Sequence, residues 1–144
     1  MTELQFTPGY IAYILSDEAK VLQAGHELKC WDFFVWDGVI YVVTGVGCDG
    51  IYAAKADGRG KASWLNVEED LSGRELWLPT LFQLIGVIEG AGWWWRIRVA
   101  LRGDKKYEMA AAKPGVSGFR VRHTIESDLL LAAAQLAVRA VEGK

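Results

Sequence analysis

Cysteine and histidine are scarce in this chain of 144 residues, with two of each. Two cysteines, Cys30 and Cys48, are too few for a disulfide framework, and reduced thiols in a reducing compartment are expected. A four-ligand zinc set would need His26, Cys30, Cys48 and His123 together. No pair among them has the short Cys-x₂₋₄-Cys spacing of a structural zinc site, and His26-x₃-Cys30 alone is a weak signal. No metal and no cofactor are expected. Long apolar runs are also missing, which excludes a membrane-spanning helix. The opening "MTELQFTPGY" has neither a basic n-region nor an apolar h-region, so a soluble, cytoplasmic protein is expected.

Catalytic signatures are missing as well. There is no G-x-S-x-G, no P-loop and no G-x-G-x-x-G. The glycine-rich "GVGCDG" at 45–50 resembles a phosphate nest, but no helical pattern comes after it to aim a dipole at a phosphate, and a hairpin turn accounts for it. The run Glu68-Glu69-Asp70 lacks the alternating ligand spacing of a calcium loop and reads as solvated charge.

What the chain does have is hydrophobic mass and tryptophan. Hydrophobic residues make up 51% and tryptophans number seven. That composition excludes disorder and suits one domain or two small ones. The net charge of −2 conceals an asymmetry. Residues 1–90 hold six Lys/Arg against thirteen Asp/Glu, whereas residues 91–124 hold eight against two. Separation of this kind marks a face for an acidic partner or two parts of one chain that dock on each other.

The first half begins with helical spacing. Tyr10, Tyr13, Ile14, Val21 and Leu22 recur near a helical period, Ser16 is placed to cap a separate helix from Asp17, and Gly25 ends the pattern. Asp37-Gly38, Asp49-Gly50 and Asp57-Gly58 then punctuate β-branched and aromatic runs. Asp-Gly between apolar runs signals hairpins, which predicts strands near 29–36, 39–46, 51–56 and 61–65. Cys30 falls in the first of these and is expected to pack as a small hydrophobe. The polar, acidic stretch 66–77 reads as a connection.

The second half predicts an αβββα order. Thr80-x-x-Gln83 is a capping box opening a helix that Gly90 and Gly92 stop. Strands are predicted at 93–102, 106–112 and 118–123, then a last helix from an N-cap near Thr124, largely buried and rich in alanine. The fold class is therefore α+β: an N-terminal helix and antiparallel meander over 1–66, a connection over 67–77, and an αβββα two-layer module over 78–144.

Alternation across strands assigns the unusual stretch "WWWRIRVALR". Trp93, Trp95, Ile97, Val99 and Leu101 fall on a core face; Trp94, Arg96, Arg98 and Arg102 fall on the other. In the third strand Phe119, Val121 and His123 are expected to face in, and Arg120 and Arg122 out. The predicted interaction face is thus Trp94, Arg96, Arg98, Arg102, Arg120 and Arg122. Clustered arginines repel, so cover by the acidic first half or a second copy is expected, with Trp94 packed in the contact.

The stretch Trp77-Leu78-Pro79-Thr80-Leu81-Phe82-Gln83-Leu84, taken with the chain from there to residue 142, resembles small phage and prophage proteins with an αβββα sandwich. The resemblance implies a mobile-element origin and carries no activity. Double-stranded-RNA-binding domains share the αβββα order, but they need lysines at the start of the last helix, where this chain reads "TIESDLL". The functional expectation is a non-enzymatic, self-associating interaction protein. The alternative is a nucleic-acid binder whose arginines meet phosphates while Trp94 stacks a base. An enzyme would be signalled by a buried polar pocket joining His26 or His123 to a carboxylate.

Overall fold

The computed structural model describes residues 6–24, 26–58, 60–72, 74–99, 107–115, 118–126 and 128–142. The chain forms two compact units: the stretch 25–79 makes the first, and residues 6–24 join 80–144 in the second. The α+β class holds, and the two sheets are separate. The division differs from the predicted one at both ends of the meander. The N-terminal helix packs with the closing helix rather than with the meander, and the stretch expected as a connection supplies a fifth strand.

In the first unit, β1 (Phe33–Trp36), β2 (Val39–Val46), β3 (Gly50–Lys55) and β4 (Ser63–Asn66) form an antiparallel meander, and β5 (Leu76–Leu78) returns to pair with β1. The strand order is β4-β3-β2-β1-β5. The chain turns near all three Asp-Gly pairs, but at the second the bend lies before Gly50, which begins β3. Asp37 and Gly38 take φ of 53° and 75°, as a two-residue hairpin with both central residues left-handed requires. Phe34, Val43, Ile51, Ala53 and Leu71 make the core of this unit. Leu71 enters it from a single wide turn, Val67–Leu71, closed by Ser72 N–H to Val67 C=O at 2.9 Å. Asn66 caps that turn by accepting from the Glu68 and Glu69 N–H groups, and Asp70 accepts from Asn66 N–H at 2.7 Å. Glu68, Glu69 and Asp70 therefore sit at the positive end of a short helical turn, where acidic residues stabilise it.

The glycine-rich turn at 45–50 has a steric reason. A methyl group on Gly50 would lie 2.4 Å from the Leu65 carbonyl oxygen and 2.6 Å from the Trp64 ring, and one on Gly47 would lie 2.7 Å from that ring. The glycines clear a lane for the Trp64 indole, which meets Tyr52 edge-on at 4.9 Å.

In the second unit, α1 (Pro8–Ile14) is capped by Thr7 and followed by a 3₁₀ helix over Asp17–Leu22, so the break falls at Ser16 as expected. The capping box opens α2 (Leu81–Gly90), with Thr80 N–H donating to Gln83 Oε1 at 2.8 Å. At its other end Gly92 takes φ +88°. Its N–H reaches Glu89 C=O, and Trp93 N–H reaches Ile88 C=O. This double bond to orphan carbonyls, with Ile88 and Trp93 both buried, ends the helix and aims the chain into β6. The strands β6 (Trp94–Val99), β7 (Tyr107–Gly115) and β8 (Gly118–Glu126) form an antiparallel sheet in chain order. The closing helix α3 (Leu129–Glu142) buries Leu130, Leu136, Val138 and five alanines against its neighbours. Small side chains let α2, β7 and β8 approach it closely.

The start of α3 is corrected. Thr124 is a β8 residue, donating to Gln135 Oε1 at 2.6 Å. Asp128 caps the helix, accepting from the Leu130 and Leu131 N–H groups. An extended chain through Glu126 keeps more of the β7 ladder, and two competent caps within five residues leave the choice to that pairing.

Candidate interaction face

The β6–β7 register places Trp94 opposite Ala112, Arg96 opposite Ala110, and Arg98 opposite Glu108. Directly opposed residues share a face. Trp94 is 64% exposed, and Arg96 and Arg98 are exposed beside it. The alanines leave a low floor next to these three long side chains. Arg98 pairs with Glu108 at 2.8 Å. The hydrogen bond and charge of Glu108 hold the Arg98 guanidinium above its ordinary range. This fixes the direction of the arginine fork across the sheet. Arg96 has no ion-pair partner among the described residues.

The helix side of the same sheet carries Trp95, Ile97, Met109, Ala111 and Thr124 positions. Met109 and Ala111 are buried there, and Thr124 reaches α3. Trp93 is core, as expected. Trp95 is not: it lies at the sheet edge, 39% exposed, and its indole N–H donates to Glu89 of α2 at 2.7 Å.

The six-residue face predicted from sequence does not assemble as one surface. The register aligns position 122 with Ala111 and position 120 with Lys113, the parity of Trp95 and Thr124. Positions 121 and 123 align with Ala112 and Ala110, and so with Trp94 and Arg96. In backbone register positions 120 and 122 therefore fall out of phase with Arg96 and Arg98. Arg102 lies outside the described residues.

The first unit contains a histidine–carboxylate pair. His26 Nε2 lies 2.8 Å from Asp32 Oδ2, and Asp32 also accepts from Lys29 N–H at 2.8 Å. The imidazole stacks on Trp77 with centroids 3.5 Å apart. Asp32 is buried, and among the described residues no third His, Cys, Asp or Glu converges on the pair. The pair ties down the loop that precedes β1. That loop presents Cys30 and Trp31 to solvent, Trp31 72% exposed and at φ 72°. Cys30 is thus exposed and free, contrary to its expected packing; the loop runs to Asp32, so the strand starts later than predicted. Cys48 is exposed and free as well. The side chain of His123 lies outside the described residues. Trp31 gave no signal in sequence, because nothing local announces a left-handed tryptophan.

No helix among the described residues is long and apolar enough to cross a membrane. Compared with family models, curated proteins and solved structures, the chain matches none.

Proposed function

We propose that this is a non-enzymatic interaction protein that self-associates through the outer face of its second sheet, centred on Trp94, Arg96 and Arg98. The observation that carries the reading is a tryptophan 64% exposed on an edge strand, on the same face as Arg96 and Arg98. Tryptophan and arginine dominate the energetics of protein contacts. Beside Trp94 the face carries Arg96, a cation without an ion-pair partner among the described residues, which a carboxylate of a second copy can meet. The alternative, nucleic acid on the same face, is weakened by Glu108, which neutralises Arg98 and repels phosphate. The Trp77–Leu84 stretch supports a mobile-element origin within the same reading.

The test is Arg96→Glu combined with Arg98→Glu, followed by light scattering and an oligonucleotide titration. The reading expects a change in particle mass, with a small fall in melting temperature because the Arg98 change sets a second carboxylate opposite Glu108. Unchanged mass with loss of salt-sensitive oligonucleotide binding would transfer the face to nucleic acid.

A further inference from the structure

The first unit holds a cavity of about 350 Å³ lined by Trp36, Tyr41, Ala53, Lys55, Ser63 and Leu65, with Gly60 and Lys61 at its edge. The sheet register builds it. Tyr41 on β2 faces Lys55 on β3, and Ala53 faces Ser63 on β4. Trp36 and Tyr41 are half-buried, their ring centroids 5.8 Å apart and their planes tilted by 55°. Phe34 stacks behind Tyr41 at 5.4 Å and supports it from the core side. The two aromatic rings thus form a corner, apolar at its back and open in front. Gly58 and Gly60, at φ +79° and +88°, turn the chain so that Lys61 joins the rim.

The chemistry at the rim has one sign. Lys55 and Lys61 are exposed, and among the described residues none of the lining is acidic and neither lysine has an ion-pair partner. Ammonium groups without an ion-pair partner among the described residues, beside an aromatic corner, suit a ligand with a flat ring and an anionic group carried on a short linker. The volume falls at the lower end of ordinary ligand pockets, the size of a single ring system with its phosphate. We propose that this cavity binds one nucleotide unit, its base against Trp36 and Tyr41 and its phosphate between Lys55 and Lys61. Aromatic stacking recognises any base face, and lysine serves phosphate as a point charge, so base identity is secondary. The site lies in the first unit and is independent of the Trp94 face on the second.

Calorimetric titration with uridine monophosphate and with an eight-nucleotide oligothymidylate tests this. The proposal expects saturable binding with one nucleotide unit per cavity. Lys55→Ala with Lys61→Ala, both exposed positions, should weaken it about tenfold or more at unchanged melting temperature, and raised salt should mimic the variant. Trp36→Phe should bind nearly as well as the native protein, and Trp36→Leu about tenfold more weakly. Binding of the monophosphate alone identifies a free nucleotide; much tighter binding of the oligomer identifies a strand; either supports the site. No saturable heat with either probe up to about 1 mM, a weak limit for a built ligand site, would overturn it. So would binding indifferent to the lysine pair or to Trp36→Leu, or lost instead in Arg96→Glu with Arg98→Glu.

Discussion

The hydroxyl of Thr7 donates to the carboxylate of Asp128, 121 residues away in the chain. Each residue is at the same time a helix cap. Thr7 Oγ1 accepts from Tyr10 N–H at the start of α1, and Asp128 accepts from Leu130 and Leu131 N–H at the start of α3. Two positive helix ends therefore share one carboxylate, with Thr7 as the bridge. Asp128→Ala removes a cap and a charge-assisted bond, so a loss of about 1–3 kcal/mol is expected. Asp128→Asn should keep the cap and lose less. In denaturant titrations the Thr7→Ala and Asp128→Ala losses should be non-additive, because each removes the same contact. Additive losses would separate the two caps.

The same corner sets a response to alkali. Burial raises Tyr10 well above the ordinary phenol range, and Asp128 raises it further. Burial pushes Tyr13 up to about 12; Glu18 and Glu142 add to this and Arg139 partly opposes it. Both phenols titrate higher folded than unfolded, so the unfolded chain gives up its protons first. Their contribution to stability is complete below about pH 10 and is lost as pH rises toward 12. The melting temperature should fall across that window, and Tyr13→Phe should reduce the slope. An unchanged slope in a Tyr10→Phe, Tyr13→Phe double variant would contradict the assignment.

Gly47 and Gly50 make a paired prediction on the first sheet. Both crowd Trp64, but only Gly50 also crowds backbone, the Leu65 carbonyl. Each Gly→Ala change should cost about 1–3 kcal/mol as overpacking. Adding Trp64→Ala should recover much of the Gly47 loss, since its nearest obstacle is the indole. It should leave most of the Gly50 loss, because the carbonyl cannot move without breaking the β3–β4 ladder. Equal rescue at both positions would refute the steric account.

Local chemistry was readable from the chain wherever it was self-contained. The Asp37-Gly38 turn, the Thr80–Gln83 box and the glycine stop after α2 each depend on residues within a few positions, and each forms. What depended on distant partners was not readable. β5 has three residues, too few for an alternation signal, and exists because β1 offers an edge. The N-terminal helix joins the second unit through Thr7 and Asp128, which sequence spacing does not connect. The β8 parity was missed for a related reason. Alternation separates Arg120, Arg122 and Thr124 from their neighbours but does not say which set faces the helices. The bond from Thr124 to Gln135 puts Thr124 on the helix side, and the register sets positions 120 and 122 out of phase with Arg96 and Arg98. Two of the six predicted positions, 120 and 122, thus fall out of phase with the face, while Trp94, Arg96 and Arg98 stay together.

Trp94 carries the central claim, that the outer face of the second sheet is a protein contact between copies of this chain. Sedimentation equilibrium over a wide concentration range, on native protein and on Trp94→Ser, measures it most directly. Trp94 is already exposed, so the substitution should not lower the melting temperature. The native chain should rise from monomer toward twice that mass with concentration, and Trp94→Ser should remain monomeric at concentrations where the native protein is paired. A native chain that stays monomeric throughout, or a Trp94→Ser variant that associates as strongly as the native one, would contradict the account.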